Sequence, residues 1–320
     1  MFVDLKDDLR ETAPTVGEER RTPVEALAVN ASEQPPDGEA TMDITQRHEL
    51  ARRALDGYVS GPAAPIRATA RALEKVDNAV AVVLVEGISD QIALEAAAVG
   101  RGRDLEAERV VIVPIGGAHA IGRFLTMLGP LRTRVRLAGL CDLHEAEIFR
   151  RELITTDVGS PRTNTDLEHL GFYVCVNDLE DELIRAVGTV GVEALFDSQG
   201  DLGSFRSFQS QPAWRGREPE AQMRRFLGSG SRRKLRYARL LVEAAVGRDV
   251  LPRPLDALLT AVCPTESRNQ RAFAPAAHDA GAVEQLRAGA QQLAAAPGGQ
   301  VEHRAGSIHH NGEDSRPRAW

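Results

Sequence analysis

Two carboxylates stand where apolar strand-like runs end. The Val-rich run Ala79 to Val85 stops on Glu86-Gly87-Ile88-Ser89-Asp90, and a second run, Val135 to Cys141, stops on Asp142-Leu143-His144-Glu145-Ala146-Glu147. A charge at the end of a buried strand is expensive unless it is paired, hydrogen-bonded or bound to a cation. If the two strands are parallel, Glu86 and Asp142 can meet at one edge of a sheet. Oxygen-only ligation of that kind suits Mg²⁺ or Mn²⁺, which keep positions open for phosphate oxygens. Each acid also has a plainer reading. Glu86 alone could point into solvent, Asp90 or Ser89 could only cap the next helix, and Glu145 and Glu147 suit the positive end of a helix dipole. The plain reading covers Asp142 less well.

The elements that must position these acids follow from four apolar runs of strand length: Ala79 to Val85, Val110 to Ile115, Val135 to Cys141 and Phe172 to Val176. A helical period follows each, over Asp90 to Val99, Ala118 to Leu128, His144 to Leu153 and Asp178 to Val187. Strands this apolar are buried on both faces, and their alternation with helices predicts an α/β fold with a parallel sheet and right-handed crossovers. Chemistry in such sheets collects at the carboxyl ends of the strands.

Around that unit, residues 1–43 and 264–320 read as disordered arms, Pro-, Gly- and polar-rich without a lasting apolar period. Residues 44–75 form a helical lead-in broken at Gly61-Pro62, residues 76–188 the α/β domain, and residues 189–263 a mainly helical extension packed on it. The extension carries helical patterns over Glu220 to Leu227, Arg232 to Ala245 and Pro254 to Val262. Within the last arm, Ala282 to Ala296 has the composition of a short helix, and His303, His309 and His310 read as solvated residues rather than a metal site.

With 320 residues and 42% hydrophobic content the chain can bury a substantial core. Its net charge of −7 argues against coating nucleic acid by bulk electrostatics, so phosphate contact must come from a local basic patch. Arg224, Arg225, Arg232, Arg233 and Arg236, with Arg239, supply one. Aromatic residues are too few to suggest stacking on single-stranded bases. Cys141, Cys175 and Cys263 are odd in number and widely spaced, as in a reduced cytosolic protein rather than a zinc site. The charged N-terminus lacks a signal-peptide stretch, and no apolar run reaches about 18 residues, so a soluble, cytoplasmic protein with no membrane partner is expected. Gly116-Gly117 marks a tight turn or a place where phosphate approaches backbone N–H groups, with His119 unassigned.

Taken in order, the strand ending in Glu86-Gly87 with Asp90 four residues on, the Pro114-Ile115-Gly116-Gly117 strand end and the strand ending in Asp142 resemble the Toprim domain. That domain is shared by topoisomerases, bacterial primases and the overcoming-lysogenisation-defect (OLD) nucleases. The later segments Val176-Asn177-Asp178-Leu179-Glu180-Asp181-Glu182, Gln222 to Leu227 and Arg233 to Ala238 resemble the OLD-like branch, and the resemblance spans roughly Val76 to Val262.

The resemblance implies a Toprim-like Rossmannoid sheet and a divalent-metal-dependent endonuclease or nucleotidyl-transfer hydrolase acting on DNA. By position it makes Glu86, Asp142 and Lys234 catalytic, with Lys234 stabilising charge on the phosphate. It places Mg²⁺ or Mn²⁺ among Glu86, Asp90, Asp142, Glu180 and Glu182. His144 stands where a second acid of an Asp-x-Asp pair is usual, which leaves either Glu145 or His144 itself to serve as ligand. Glu180 and Glu182, two apart on a helix, point to different sides, so only some of these acids are expected inward. Full-length OLD enzymes carry an ATPase part, and no Gly-x-x-x-x-Gly-Lys-Ser/Thr loop occurs here, so a separate ATPase partner or ATP-independent action is expected. The competing expectation is a catalytically reduced module that binds DNA or a partner ATPase.

Overall fold

The computed structural model describes residues 43–263 apart from 59, 60 and 62, together with residue 288. The expectations for residues 1–42 and 264–320, including Ala282 to Ala296 and the three tail histidines, lie outside the described residues, residue 288 apart.

Alternate residues of the first strand feed two different cores. In β1 (Ala81–Val85), Ala81, Val83 and Val85 face one layer of helices while Val82 and Leu84 face another, and all five are buried. The other strands are β2 (Val110–Pro114), β3 (Arg136–Asp142) and β4 (Phe172–Cys175). All pair in parallel, in the order β2-β1-β3-β4. A strand with helices on both faces has no solvent side, which is why β1 reads as a continuous apolar run rather than an alternating one. The expected α/β class with a parallel sheet is the observed one.

On the Val82 and Leu84 face lie α2 (Ala64–Lys75), α4 (Ile121–Leu128) and α5 (Ala146–Thr155), contributing Leu73, Phe124 and Phe149. Helix α1 (Ile44–Ala54) precedes α2, and Thr69 of α2 donates its hydroxyl to Pro114 O of β2 at 2.5 Å. The opposite face is covered by α3 (Ile88–Gly100) and α7 (Leu179–Val187). The short α6 (Asn164–His169), closed at its start by Thr163 and Asp166, leads into β4.

After α7 the chain is helical: α8 (Thr189–Ser198), α9 (Leu202–Gln209), α10 (Pro219–Gly228), α11 (Ser231–Gly247) and α12 (Arg253–Ala261). Helix α11 packs across α3 and α7. Phe196 of α8 meets Phe205, Phe226 and Tyr237 at ring-centroid distances of 4.9, 5.2 and 5.1 Å. These residues and β1 belong to one continuous core, so the helical segment holds the sheet rather than standing beside it. The sequence reading did not separate α6, α8 and α9. In α8 the stretch Thr189-Val190-Gly191-Val192 has poor intrinsic helix propensity, and the burial of Val192 and Phe196 outweighs it.

Gly139 sets how closely β1, β3 and β4 approach. It pairs with Leu84 on one side and Phe172 on the other, and a Cβ there would lie 2.9 Å from Leu84 O and 2.7 Å from Phe172 Cδ1. Gly139→Ala is therefore expected to destabilise the chain by about 1–3 kcal/mol, the usual range for overpacking a tight core. Its urea midpoint should fall, and an unchanged midpoint would show that the strands part without strain.

Candidate metal centre at the sheet edge

Glu86 directly follows β1 and is held from both neighbouring strands. Its carbonyl accepts the N–H groups of Gly116 and Gly117, each at 3.0 Å, just beyond β2. Both glycines have positive φ, 81° and 109°, a conformation costly for residues with a Cβ. On the other side, Glu86 Oε1 accepts the backbone N–H of Asp142 at 3.1 Å. Of the two readings of the glycine pair, the tight turn holds and the phosphate approach does not, because both N–H groups already serve the Glu86 carbonyl. Their work is to fix the backbone of the acid.

Asp142 is the last residue of β3 and pairs with Cys175 of β4. The chain then turns tightly, with the Glu145 N–H donating to Asp142 O at 3.0 Å, and α5 starts at Ala146 rather than at the expected His144. That turn folds Glu145 back over the strand end. One carboxylate oxygen from each of Glu86, Asp142 and Glu145 lies within 4.8 Å of the others, and all three residues are half-buried. Glu145 Oε2 is buried without a hydrogen-bond partner. His144 is exposed on the turn and does not join this group.

Crowded, half-buried carboxylates hold their protons. Burial pushes Glu86 up to about 7, with Glu145 and Asp90 adding to the rise and the Asp142 N–H and Lys234 opposing it. Burial, then the charges of Glu86, Asp90, Asp178 and Glu145, pushes Asp142 up to about 8. An all-oxygen set with an orphaned oxygen and mutual repulsion fits a hard divalent cation, which would satisfy the oxygens and remove the repulsion.

The remaining acids have protein partners. Asp90 accepts the Gly87 N–H at 2.8 Å and so caps α3, and burial raises it against the pull of Lys234. Glu180 is 8% exposed, with Oε1 3.3 Å from Lys234 Nζ at the start of α11. Glu182 is 6% exposed; Oε1 accepts the Val176 N–H at 2.7 Å and Oε2 lies 2.9 Å from Arg185. Both glutamates are thus covered, where the helical spacing led one to expect only some inward. They do point to different sides, Glu180 toward α11 and Glu182 back onto the end of β4.

Asp178 was not singled out from the sequence, although an Asp just before a helical period is an N-cap signal. It accepts the Asp181 N–H at 2.8 Å, pairs with Arg224 at 2.5 Å, and adds to the negative potential on Asp90, Asp142 and Glu180.

The expected basic surface is reduced. Arg236 is buried, ion-paired with Asp201, and Tyr237 donates its hydroxyl to the same carboxylate at 3.0 Å. Its charge is spent inside the fold, so Arg236 is withdrawn from the phosphate-contact surface. Arg233 lies over the Phe226 ring at 4.0 Å and donates to Phe226 O, and Arg239 pairs with Glu243 at 2.7 Å. Arg225 and Arg232 are exposed, with no ion-pair partner among the described residues. A cavity of about 880 Å³ lies elsewhere, between α2, α3 and β2, lined by Ala68, Arg71, Gln91, Glu95 and Ile112 and by none of the three clustered acids.

Residues 79–143 match the family model described as "Overcoming lysogenization defect protein-like, TOPRIM domain". This segment is similar to an OLD-like TOPRIM domain. The match encloses Glu86, Asp90 and Asp142 and ends before Glu145, Glu180 and Lys234. Solved structures similar to this chain include the C-terminal region of the Burkholderia pseudomallei OLD protein, at 18% identity and a TM-score of 0.41, covering 57% of this chain and 96% of that one. Another is the C-terminal region of the Xanthomonas campestris pv. campestris OLD protein, at 20% identity and a TM-score of 0.42, covering 61% of this chain and 97% of that one. No curated protein matches the chain. Among the described residues, no helix is long and apolar enough to cross a membrane.

Proposed function

We propose that this chain is a divalent-metal-dependent nuclease that hydrolyses phosphodiester bonds of DNA, with the cation held by Glu86, Asp142 and Glu145. The observation that carries this reading is the convergence of three carboxylate oxygens within 4.8 Å at the carboxyl edge of the sheet. Two of the three acids, Glu86 and Asp142, lie within the segment similar to an OLD-like TOPRIM domain, which supports the reading. When bound, Mg²⁺ or Mn²⁺ supplies Lewis acidity toward a phosphate oxygen and makes water a better nucleophile near neutral pH.

The chain's own residues do the rest. The glycine pair and the Asp142 N–H fix Glu86, the tight turn presents Glu145, and Lys234 adds a positive charge beside the acids, suited to the phosphodiester anion or to charge developing on its oxygens. Arg225 and Arg232 are free to touch the sugar-phosphate backbone, a contact that positions nucleic acid without reading its sequence.

The test is incubation of the purified chain with supercoiled plasmid and with a single-stranded RNA, in Mn²⁺, in Mg²⁺ and in EDTA. Nicking or linearisation of the plasmid in either metal and none in EDTA is expected. Plasmid left intact in both metals, or cut equally in EDTA, would overturn the reading. RNA cut in place of DNA would move the substrate and keep the metal chemistry. A catalytically reduced module, the second reading, is favoured by the exposed position of His144 where a second acid is usual. It predicts DNA binding with no metal response. An ATPase partner would show as an ATPase that copurifies with the tagged chain and alters its cleavage when ATP is added.

A further inference from the structure

Two large apolar side chains stand exposed at the edge that carries the acids. Asp142 and Cys175 are register partners at the ends of β3 and β4, and the residues that follow them, Leu143 and Val176, are 43% and 56% exposed. The other large apolar residues so exposed among the described residues, Val99, Ile154, Val190 and Val250, lie apart from one another in the sequence, and scattered exposure of that kind is ordinary. Leu143 and Val176 are also held in place. The Leu143 N–H donates to Asn177 O at 3.3 Å, its carbonyl accepts the Ala146 N–H at 3.3 Å, and the Val176 N–H donates to Glu182 Oε1 at 2.7 Å. A backbone tied this way presents its side chains to solvent at a fixed position.

We propose that Leu143 and Val176 form an apolar contact for the nucleoside beside the scissile phosphate, and that the chain therefore cleaves strands whose bases are unpaired at the cut in preference to intact duplex. This rests on the proposed nuclease reading and deepens it. Leu143 lies in the turn that carries Asp142 and Glu145, two of the three converging acids, so a phosphate held at those acids brings its own nucleoside past Leu143. The phosphate itself offers only charged oxygens. The apolar surface of a nucleotide is the face of its base and the carbons of its sugar, and in a duplex the neighbouring bases cover the base faces. Apolar side chains reach those faces by separating a base step, at an unstacking cost that is least for a mismatched or single-stranded base. A protein partner on the same pair would lie over the turn and close the acids to substrate.

The test compares, in Mn²⁺, a paired duplex with the same duplex carrying a central mismatched run, each labelled in that run with 2-aminopurine, whose fluorescence rises on unstacking. The wild-type chain is expected to cut within the mismatched run, to favour that substrate by ~10-fold or more in kcat/KM, and to raise its fluorescence on binding. A chain carrying Leu143→Ser and Val176→Ser should lose the rise and most of the preference, with Mn²⁺ affinity by calorimetry kept, whereas Leu143→Met should retain both. Should the double variant fail to fold, Val176→Thr, which keeps the shape and adds a hydroxyl, replaces it and should lower the preference in the same direction. Equal cleavage of the two duplexes by the wild type would overturn the inference and leave the nuclease reading standing. A folded serine variant that keeps the preference would do the same and point to a protein partner on the pair. Cleavage of neither duplex with the fluorescence rise retained would remove the nuclease reading and keep the contact, and no cleavage with no rise would remove both.

Discussion

At pH 8 an Asp142→Asn chain is expected to lose metal-dependent cleavage and, in chelator, to melt higher than the parent. The loss should reach at least ~100-fold, because even the outer partners of a metal site are worth ~10–100-fold in affinity or activity. The gain in stability has the same origin. Burial and the surrounding acids push the Asp142 carboxyl up to about 8, so near that pH its ionised form is disfavoured where it sits. Asparagine keeps the shape, removes the charge and relieves the repulsion on Glu86. A rise of a few degrees in Tm is the expected scale, since ~1 kcal/mol corresponds to ~2–4 °C for a chain of roughly this size. The two readouts separate causes. A variant that cleaves less and also melts lower has lost packing, whereas less cleavage with a higher Tm marks a ligand kept at the expense of stability. Full cleavage by the Asp142→Asn chain would sink the assignment of Asp142 to the site.

The layout of the sheet is legible in the sequence because a strand buried on both faces leaves a mark no helix of similar length leaves: an unbroken Val-rich run with punctuation at each end. The acids at the ends of β1 and β3 are legible for the same reason, since a carboxylate closing such a run stands out. What surrounds them is not. Glu145 reaches Glu86 and Asp142 because one hydrogen bond, Glu145 N–H to Asp142 O, closes a turn and delays the start of α5 by two residues. Helical periodicity is too coarse to show a two-residue delay. Arg236 fails as a surface residue for a different reason. Its partner Asp201 is 35 positions away, beside α9, which the apolar pattern does not announce. A run of arginines thus reads as a surface until the fold supplies an acid beneath it. Gly116 and Gly117 are visible as glycines, but their service to the Glu86 carbonyl depends on β2 and β1 being neighbours in register.

In chelator, stability should fall as pH rises from 5 to 8, and Mn²⁺ should restore it mainly at the upper end. Glu86 has a pKa of about 7 in the folded chain against an ordinary 4.5, and Asp142 about 8 against 3.8. Between the ordinary and the folded values the native state binds more protons than the unfolded state, so unfolding releases them and a rising pH favours unfolding. The stabilising contribution is fully present below the ordinary values and is lost as pH passes through the folded ones. Asp90 and Glu180, also raised by burial, add in the same direction. Asp166, held low by the N–H groups of Arg162 and Thr163, and Glu168, held low by Arg253, act with opposite sign below the usual carboxylate range. The interval from 5 to 8 therefore reports on the acids that burial raises, the clustered pair Glu86 and Asp142 together with Asp90 and Glu180. A cation binds their ionised forms and competes with protons, so at pH 5 it should hardly move Tm. At pH 8 and ~100 times Kd it should add ~2.7 kcal/mol, which is roughly 5–10 °C. Differential scanning calorimetry at pH 5, 6.5 and 8, with EDTA or with Mn²⁺, measures both slopes. A chelated chain whose Tm is flat across that interval would refute the clustered-acid account, and a Mn²⁺ shift equal at pH 5 and pH 8 would place the ion on other ligands. Repeating the series with Asp142→Asn ties the effect to the site, because the slope in chelator and the Mn²⁺ shift should shrink together.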